Sequence, residues 1–208
     1  MLELKDPSYI EFVKNLEDSI LSDIQIHKSE QYSLSFENFL FKTIINEMGY
    51  YFLVTKTLID NLSELLKGKR CLEIMSGNGY FSKQLINNGI DIIATDDFSW
   101  KLANPESHIK QYDAVEAVNT FKDQSDILII CWPYMDDTAY RAIKEWGSDK
   151  PIIVCAEIGG CCADWQFDVA YKRETLSVGF QSFTAIHDKF NIGRVFEFEH
   201  FLSPMQFQ

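Results

Sequence analysis

Apolar positions recur at helical spacing through the first third of the chain, and then the rhythm changes. Asp6-Pro7 offers a side-chain acceptor at an N-cap and a proline at the first helical position. Tyr9, Ile10, Phe12, Val13, Leu16, Ile20 and Ile24 then share one face. A second predicted helix runs from about Ser35, with Phe36, Phe39, Leu40, Ile44 and Met48 on one side and Gly49 able to close it. A third begins near Thr55, carries Leu58, Ile59, Leu62, Leu65 and Leu66, and ends at Gly68. From Lys69 the apolar runs shorten to strand length. Residues 70–74 predict a strand, Gly77-Asn78-Gly79 a turn, 80–88 a helix, and 90–95 a β-branched strand ending at Asp96-Asp97. Residues 114–121 read as helix, 126–131 as a buried strand stopped by Pro133, 137–146 as helix, 151–157 as another buried strand and 165–176 as helix. Alternating stretches at 182–186 and 194–201 follow, and Asn191-Ile192-Gly193 between them marks an antiparallel return.

Strand-helix alternation with continuous apolar strands predicts an α/β fold. The expected sheet is doubly wound, mostly parallel and seven-stranded, covered on both faces, with an antiparallel last strand and a final antiparallel hairpin at one edge. A helical N-terminal extension over residues 1–66 and a sheet core over 69–208 make up a single domain in this reading.

Composition narrows the function. A chain of 208 residues suits one generous domain, and 46% apolar with 24% charged residues is ordinary globular usage. Lys and Arg number 19 against 31 Asp and Glu, a net charge of −12. A nucleic-acid reader needs a basic face, so nucleic acid is an unlikely partner, and an anionic membrane surface is disfavoured too. The N-terminus has no apolar core of signal-peptide length, and runs such as 127–132 are strand-sized. Five cysteines, an odd number set mostly in apolar runs, read as reduced thiols of a cytoplasmic protein. With no CxxC spacing and four scattered histidines, no metal site is expected.

The central chemical signal is Cys71-Leu72-Glu73-Ile74-Met75-Ser76-Gly77-Asn78-Gly79-Tyr80-Phe81-Ser82. An apolar strand delivers an acid, then a Gly-x-Gly turn, then a helix. Glycine lets the backbone bend tightly and a ligand approach, and the helix N-terminus offers free N–H groups. Asp96 follows Gly77 by 19 residues, where an acid can bond a ribose hydroxyl. A bland reading keeps the glycines as a tight βα turn and the acids as helix caps. Two cofactor classes share the geometry. A dinucleotide site wants a third glycine where Ser82 stands, and a carboxylate at Glu73 would face its pyrophosphate.

This segment resembles the first motif of class I S-adenosylmethionine-dependent methyltransferases, and the resemblance covers about residues 49–164. It implies a Rossmann-like core and S-adenosylmethionine as cofactor, with S-adenosylhomocysteine as product. It implies that Glu73, Ser76, Gly77, Asn78 and Gly79 hold the methionine end, and that Asp96, with Asp97 as alternate, holds the ribose. Tyr112-Asp113-Ala114 resembles the adenine-contacting segment, with Asp113 and Ala114 as its cofactor residues. Ile130-Cys131-Trp132-Pro133-Tyr134 occupies the strand-four motif that faces the methyl group, placing Cys131 and Trp132 at the cofactor. That motif, with Ala139-Tyr140 and Gly159-Gly160-Cys161 after it, is similar to a branch of methyltransferase-like proteins whose strand-four motif reads Trp-Pro-Pro. The branch carries an aromatic cluster before strand one, to which Tyr50-Tyr51-Phe52 is similar, so Tyr51 is expected over the cofactor. Two departures stand out: Met75 replaces the first glycine of the turn, and the strand-four motif has one proline and no Asp or Asn before it.

Methyl transfer is an in-line displacement, so the protein's task is alignment and exclusion of water, with a base only if the nucleophile arrives protonated. Tyr134 and Glu157 are the catalytic candidates: Tyr134 to hydrogen-bond a nucleophile, Glu157 because a carboxylate ending a buried strand is costly without a role. Asp136 and Asp137 read as caps of the following helix, and Cys131 and Cys161 as core residues before nucleophiles. The acceptor is expected to be a small molecule or a protein. A non-catalytic protein binding S-adenosylmethionine or S-adenosylhomocysteine is the alternative, and an NAD(P)-dependent reductase a further one.

Overall fold

The computed structural model describes residues 51–52, 54–100, 105–157, 160–178 and 189–196. The two helices expected within residues 6–48 and the strand expected at 182–186 lie outside them. The elements in chain order are α1 (Lys56–Leu66), β1 (Arg70–Ile74), α2 (Tyr80–Asn87), β2 (Asp91–Asp96), β3 (Lys110–Gln111) and α3 (Ala114–Phe121). They continue with β4 (Ile127–Cys131), α4 (Thr138–Trp146), β5 (Ile152–Ala156), α5 (Trp165–Ala170), β6 (Tyr171–Thr175) and β7 (Lys189–Val195). One seven-stranded sheet has the order β3-β2-β1-β4-β5-β7-β6. Strands β1 to β5 run parallel, and β7 runs antiparallel to both β5 and β6. This is the expected Rossmann-like α/β sheet with an antiparallel last strand. Among the described residues no helix is long and apolar enough to cross a membrane.

Successive strand residues point to opposite faces, and both faces here are covered. Leu72, Ile74, Leu128, Ile130, Ile152 and Val154 pack against the side of α3, α4 and α5. Cys71, Ile127, Ile129, Ile153 and Cys155 pack against α1 and α2. Every residue of β4 and β5 is buried, which is why those strands read as unbroken apolar runs. Helix α1 begins where the Thr55 hydroxyl accepts from the Leu58 N–H at 3.2 Å, and buries Leu58, Ile59, Leu62 and Leu66 while Leu65 stays exposed.

The C-terminal third departs from the sequence expectation. The helix expected over 165–176 stops at Ala170, and Tyr171 starts an edge strand. Of the residues in β6 only Tyr171 is buried, so the strand carries no apolar alternation to read. The fully buried Tyr171 hydroxyl lies 3.0 Å from the Ile152 carbonyl and 3.1 Å from that of Asn191, and this long-range contact overrides local helix preference. The return expected at Asn191-Ile192-Gly193 is the middle of β7, with Gly193 opposite Ile152 on one side and Arg173 on the other. Glycine marks a close backbone approach there: a Cβ would stand 2.8 Å from the Lys172 carbonyl carbon and 2.8 Å from the Tyr171 ring.

Gly193→Ala therefore forces β6 and β7 apart. It should cost about 1–3 kcal/mol, the range for overpacking, read as a lower denaturant midpoint with little change in slope.

Candidate functional site

The parallel strands all exit on one side of the sheet, and a cavity of about 820 Å³ opens there. Such a crevice at the carboxyl ends of strands is where open α/β sheets bind ligands. Its floor is the turn leaving β1. The Gly77 N–H donates to Asp96 Oδ2 at 2.8 Å, and the Phe98 N–H donates to Asp96 Oδ1 at 2.8 Å. The Ser76 N–H donates to the Thr95 carbonyl at 3.0 Å, while the Thr95 hydroxyl donates to the Glu73 carbonyl at 3.0 Å. Asn78 accepts from the Tyr80 N–H at 3.1 Å and so opens α2. Ser76, Gly77 and Asn78 line the cavity. Gly79 does not: its φ is 78°, and a Cβ there would meet Ile109 Cδ1 at 2.6 Å, so its role is to admit a neighbouring side chain.

Glu73, the penultimate residue of β1, is only 1% exposed, lines the cavity, and leaves Oε2 without a hydrogen-bond partner. Burial, with a smaller contribution from the nearby Asp96 charge, pushes its carboxyl up to about 8 against the opposing pull of the Ser82 hydroxyl. Asp96, also buried, is raised by burial despite its two backbone donors. Asp97 lies exposed on the lining, its Oδ1 accepting from the Ser99 N–H at 2.8 Å. Asp113 caps α3 through Oδ1, which accepts from Val115 at 2.9 Å and Glu116 at 3.0 Å, and it lines the cavity beside Ala114. Cys131 lines it too, its thiol held protonated chiefly by burial, which removes it as a nucleophile. Trp132 and half-buried Tyr51 complete the expected cofactor set around the cavity.

The two catalytic candidates sit differently. Tyr134 lines the cavity and stacks on Trp100 with ring centroids 5.9 Å apart and planes at 12°. Burial, opposed by the Ser99 hydroxyl and reinforced by the Asp96 and Asp97 charges, pushes its phenol up to about 12. Tyr134 thus stays protonated at neutral pH and can donate a hydrogen bond but not take a proton. Glu157 stands outside the lining and accepts from the Cys161 thiol at 3.0 Å; Cys161 is the member of that pair at the cavity. Asp136 accepts from the Thr138 N–H at 2.9 Å at the start of α4, and Asp137 pairs with Arg141 at 3.2 Å, so both serve that helix.

The backbone strain around the cavity carried no sequence signal. Met75, Phe98 and Trp132 have φ of 56°, 57° and 57°, left-handed values that cost a non-glycine residue about 1–2 kcal/mol each. They follow the ends of β1, β2 and β4, and Met75 and Trp132 line the cavity. Strained backbone of this kind gathers at ligand sites. Trp100 and Arg141 also line it, far in sequence from the glycine turn.

No family model matches the chain, and no curated protein matches it. The solved structures to which it is similar are mostly methyltransferases, two of them in complex with S-adenosylmethionine or S-adenosylhomocysteine. A protein in the NADB-Rossmann superfamily from Streptococcus agalactiae is 15% identical at a TM-score of 0.42, over 68% of this chain and 68% of that one. A tRNA (uracil-54, C5)-methyltransferase from Pyrococcus abyssi, in complex with S-adenosyl-L-homocysteine, is 16% identical at 0.40, over 68% of this chain and 38% of that one. A SAM-dependent O-methyltransferase from Thermotoga maritima is 13% identical at 0.39, over 74% of this chain and 70% of that one. These scores lie below 0.5, so what the chain does has to be argued from its own cavity.

A carboxyl that is protonated in the fold and ionised in the unfolded chain makes the fold less stable as pH rises. Glu73 should do this between its ordinary value of 4.5 and about 8, at up to roughly 1.4 kcal/mol per pH unit. Glu73→Gln removes the effect: the variant should gain on the unsubstituted protein from pH 5 to pH 8 in paired urea melts. Parallel curves would mean that Glu73 is ionised throughout.

Proposed function

We propose that the chain is an S-adenosylmethionine-dependent methyltransferase whose cofactor occupies the cavity at the carboxyl ends of β1, β2 and β4. The observation that carries this reading is Glu73, a buried carboxylate with one oxygen unpartnered, directly beside the glycine turn. An uncompensated carboxylate in such a place is costly, and a ligand ammonium would satisfy and ionise it. A pyrophosphate brings no cation to this carboxyl, which disfavours a dinucleotide.

The residues divide the remaining work. The Ser76, Gly77 and Asn78 backbone shapes the wall at the methionine end. Asp97, with an oxygen not engaged by Ser99, and Asp96 behind it suit the ribose hydroxyls, and Asp113 with Ala114 suits the adenine. Trp132 walls the centre, and Tyr134 donates a hydrogen bond toward an acceptor while its stack with Trp100 keeps water from the mouth. Bound S-adenosylmethionine supplies an electrophilic methyl group on a sulfonium. The chain's own contribution is alignment and desolvation, which need no strong base when the acceptor arrives with a free lone pair. The acceptor in this reading is a small molecule or a protein, in the cytoplasm.

A second reading, a protein that binds S-adenosylmethionine or S-adenosylhomocysteine without transferring the methyl, is favoured by Met75. Its side chain stands on the cavity wall in a left-handed conformation.

Thermal unfolding separates the cofactor classes. S-adenosylhomocysteine at about 100 times its Kd should add roughly 2.7 kcal/mol, a shift of several degrees, and NADH should add nothing. The reverse pattern would overturn the cofactor assignment. Appearance of labelled methyl from S-adenosylmethionine on a cell-extract component separates transfer from binding alone.

A further inference from the structure

The mouth of the cavity has a chemistry of its own. Trp100 is 57% exposed and stacks one ring face on Tyr134, leaving the other face open. The Tyr134 phenol feels the charges of both Asp96 and Asp97 and the hydroxyl of Tyr51, so three aromatic side chains and two carboxylates converge there. The one cationic side chain on the described lining, Arg141, is already held by Asp137 at 3.2 Å and reaches Thr138 Oγ1 at 3.5 Å. Aromatic faces with carboxylates behind them attract a cation and offer nothing to an anion. A volume of about 820 Å³ lies high in the range for small-molecule sites, enough for a cofactor and a compact second ligand.

We infer that the mouth formed by Tyr51, Trp100 and Tyr134 is an acceptor subsite for a small aliphatic amine, held as its ammonium. The inference rests on the methyltransferase reading of the same cavity and names its substrate class. The ammonium gives up its proton to solvent at the mouth, where Trp100 is exposed. The freed nitrogen lone pair forms the N–C bond as the S–C bond of the sulfonium breaks, and that electron pair stays on sulfur as a thioether. Tyr134, protonated at neutral pH, keeps its part to orientation.

Isothermal titration of the full chain tests this with choline and its uncharged carbon isostere dimethylbutanol, each with and without saturating S-adenosylhomocysteine. Choline should bind about 5- to 30-fold more tightly than the isostere, the span of a cation–π contact. Trp100→Leu, at an exposed position, should abolish that preference and Trp100→Phe keep most of it. Equal binding of the two probes, or none by either, overturns the inference. A trimethyllysine peptide that outbinds choline overturns the small-molecule assignment in favour of a protein acceptor. Binding of S-adenosylhomocysteine, measured in the same titrations, tests the cofactor reading on its own, so the two failures look different.

Discussion

One carboxylate holds the working edge of the sheet together. Asp96 accepts from the Gly77 N–H with one oxygen and from the Phe98 N–H with the other, and its own carbonyl accepts from the Tyr112 N–H at 3.1 Å. The chain segments leaving β1, β2 and β3 are thereby fixed to a single residue. Hydrogen bonds to a charged group are worth about 1.5–3 kcal/mol each, and here they oppose, without cancelling, the burial that raises this carboxyl. The position of Glu73 beside the turn, of Asp97 on the rim and of Asp113 at the head of α3 all follow from that anchoring. A residue expected to serve the ribose thus has a structural task first.

The parallel part of the sheet was legible because burial on both faces leaves an unmistakable pattern. The expected strand at 70–74 is β1 from end to end, and β4 and β5 differ from expectation only at their margins. The hairpin at the edge was legible, but the positions of its strands were not. Tyr171 is the lone inward residue of an edge strand, and Gly193 looks like a turn residue until the Lys172 backbone is seen beside it. At the site, the acids and glycines were readable from spacing along two strands and a turn. Sequence spacing does not report side-chain direction, so Glu157 reads as a catalytic candidate although it faces Cys161. Nor does it report which distant loops meet, which is why Trp100 went unnoticed.

The loops around the cavity carry their strain in register. Met75, Phe98 and Trp132 take left-handed backbone conformations after three strands that are neighbours in the sheet. Each has something to hold it: Met75 and Trp132 pack against the core, and the Phe98 amide is tied to Asp96. The Trp132 N–H also donates to the Cys155 carbonyl at 2.8 Å, which extends the β4–β5 ladder past the end of β4. A wall so constrained presents a preformed shape and loses little freedom when a ligand enters.

The two ends of the sheet are unequal, and both are poor templates for another chain. At one end β3 is two residues long. At the other, β6 presents Lys172, Arg173 and Glu174 to solvent, and Arg173 is paired with Asp168 at 2.6 Å. Short or charged edges discourage strand addition. A crowded solution of this protein therefore has no ready route to sheet-to-sheet polymerisation through its described strands.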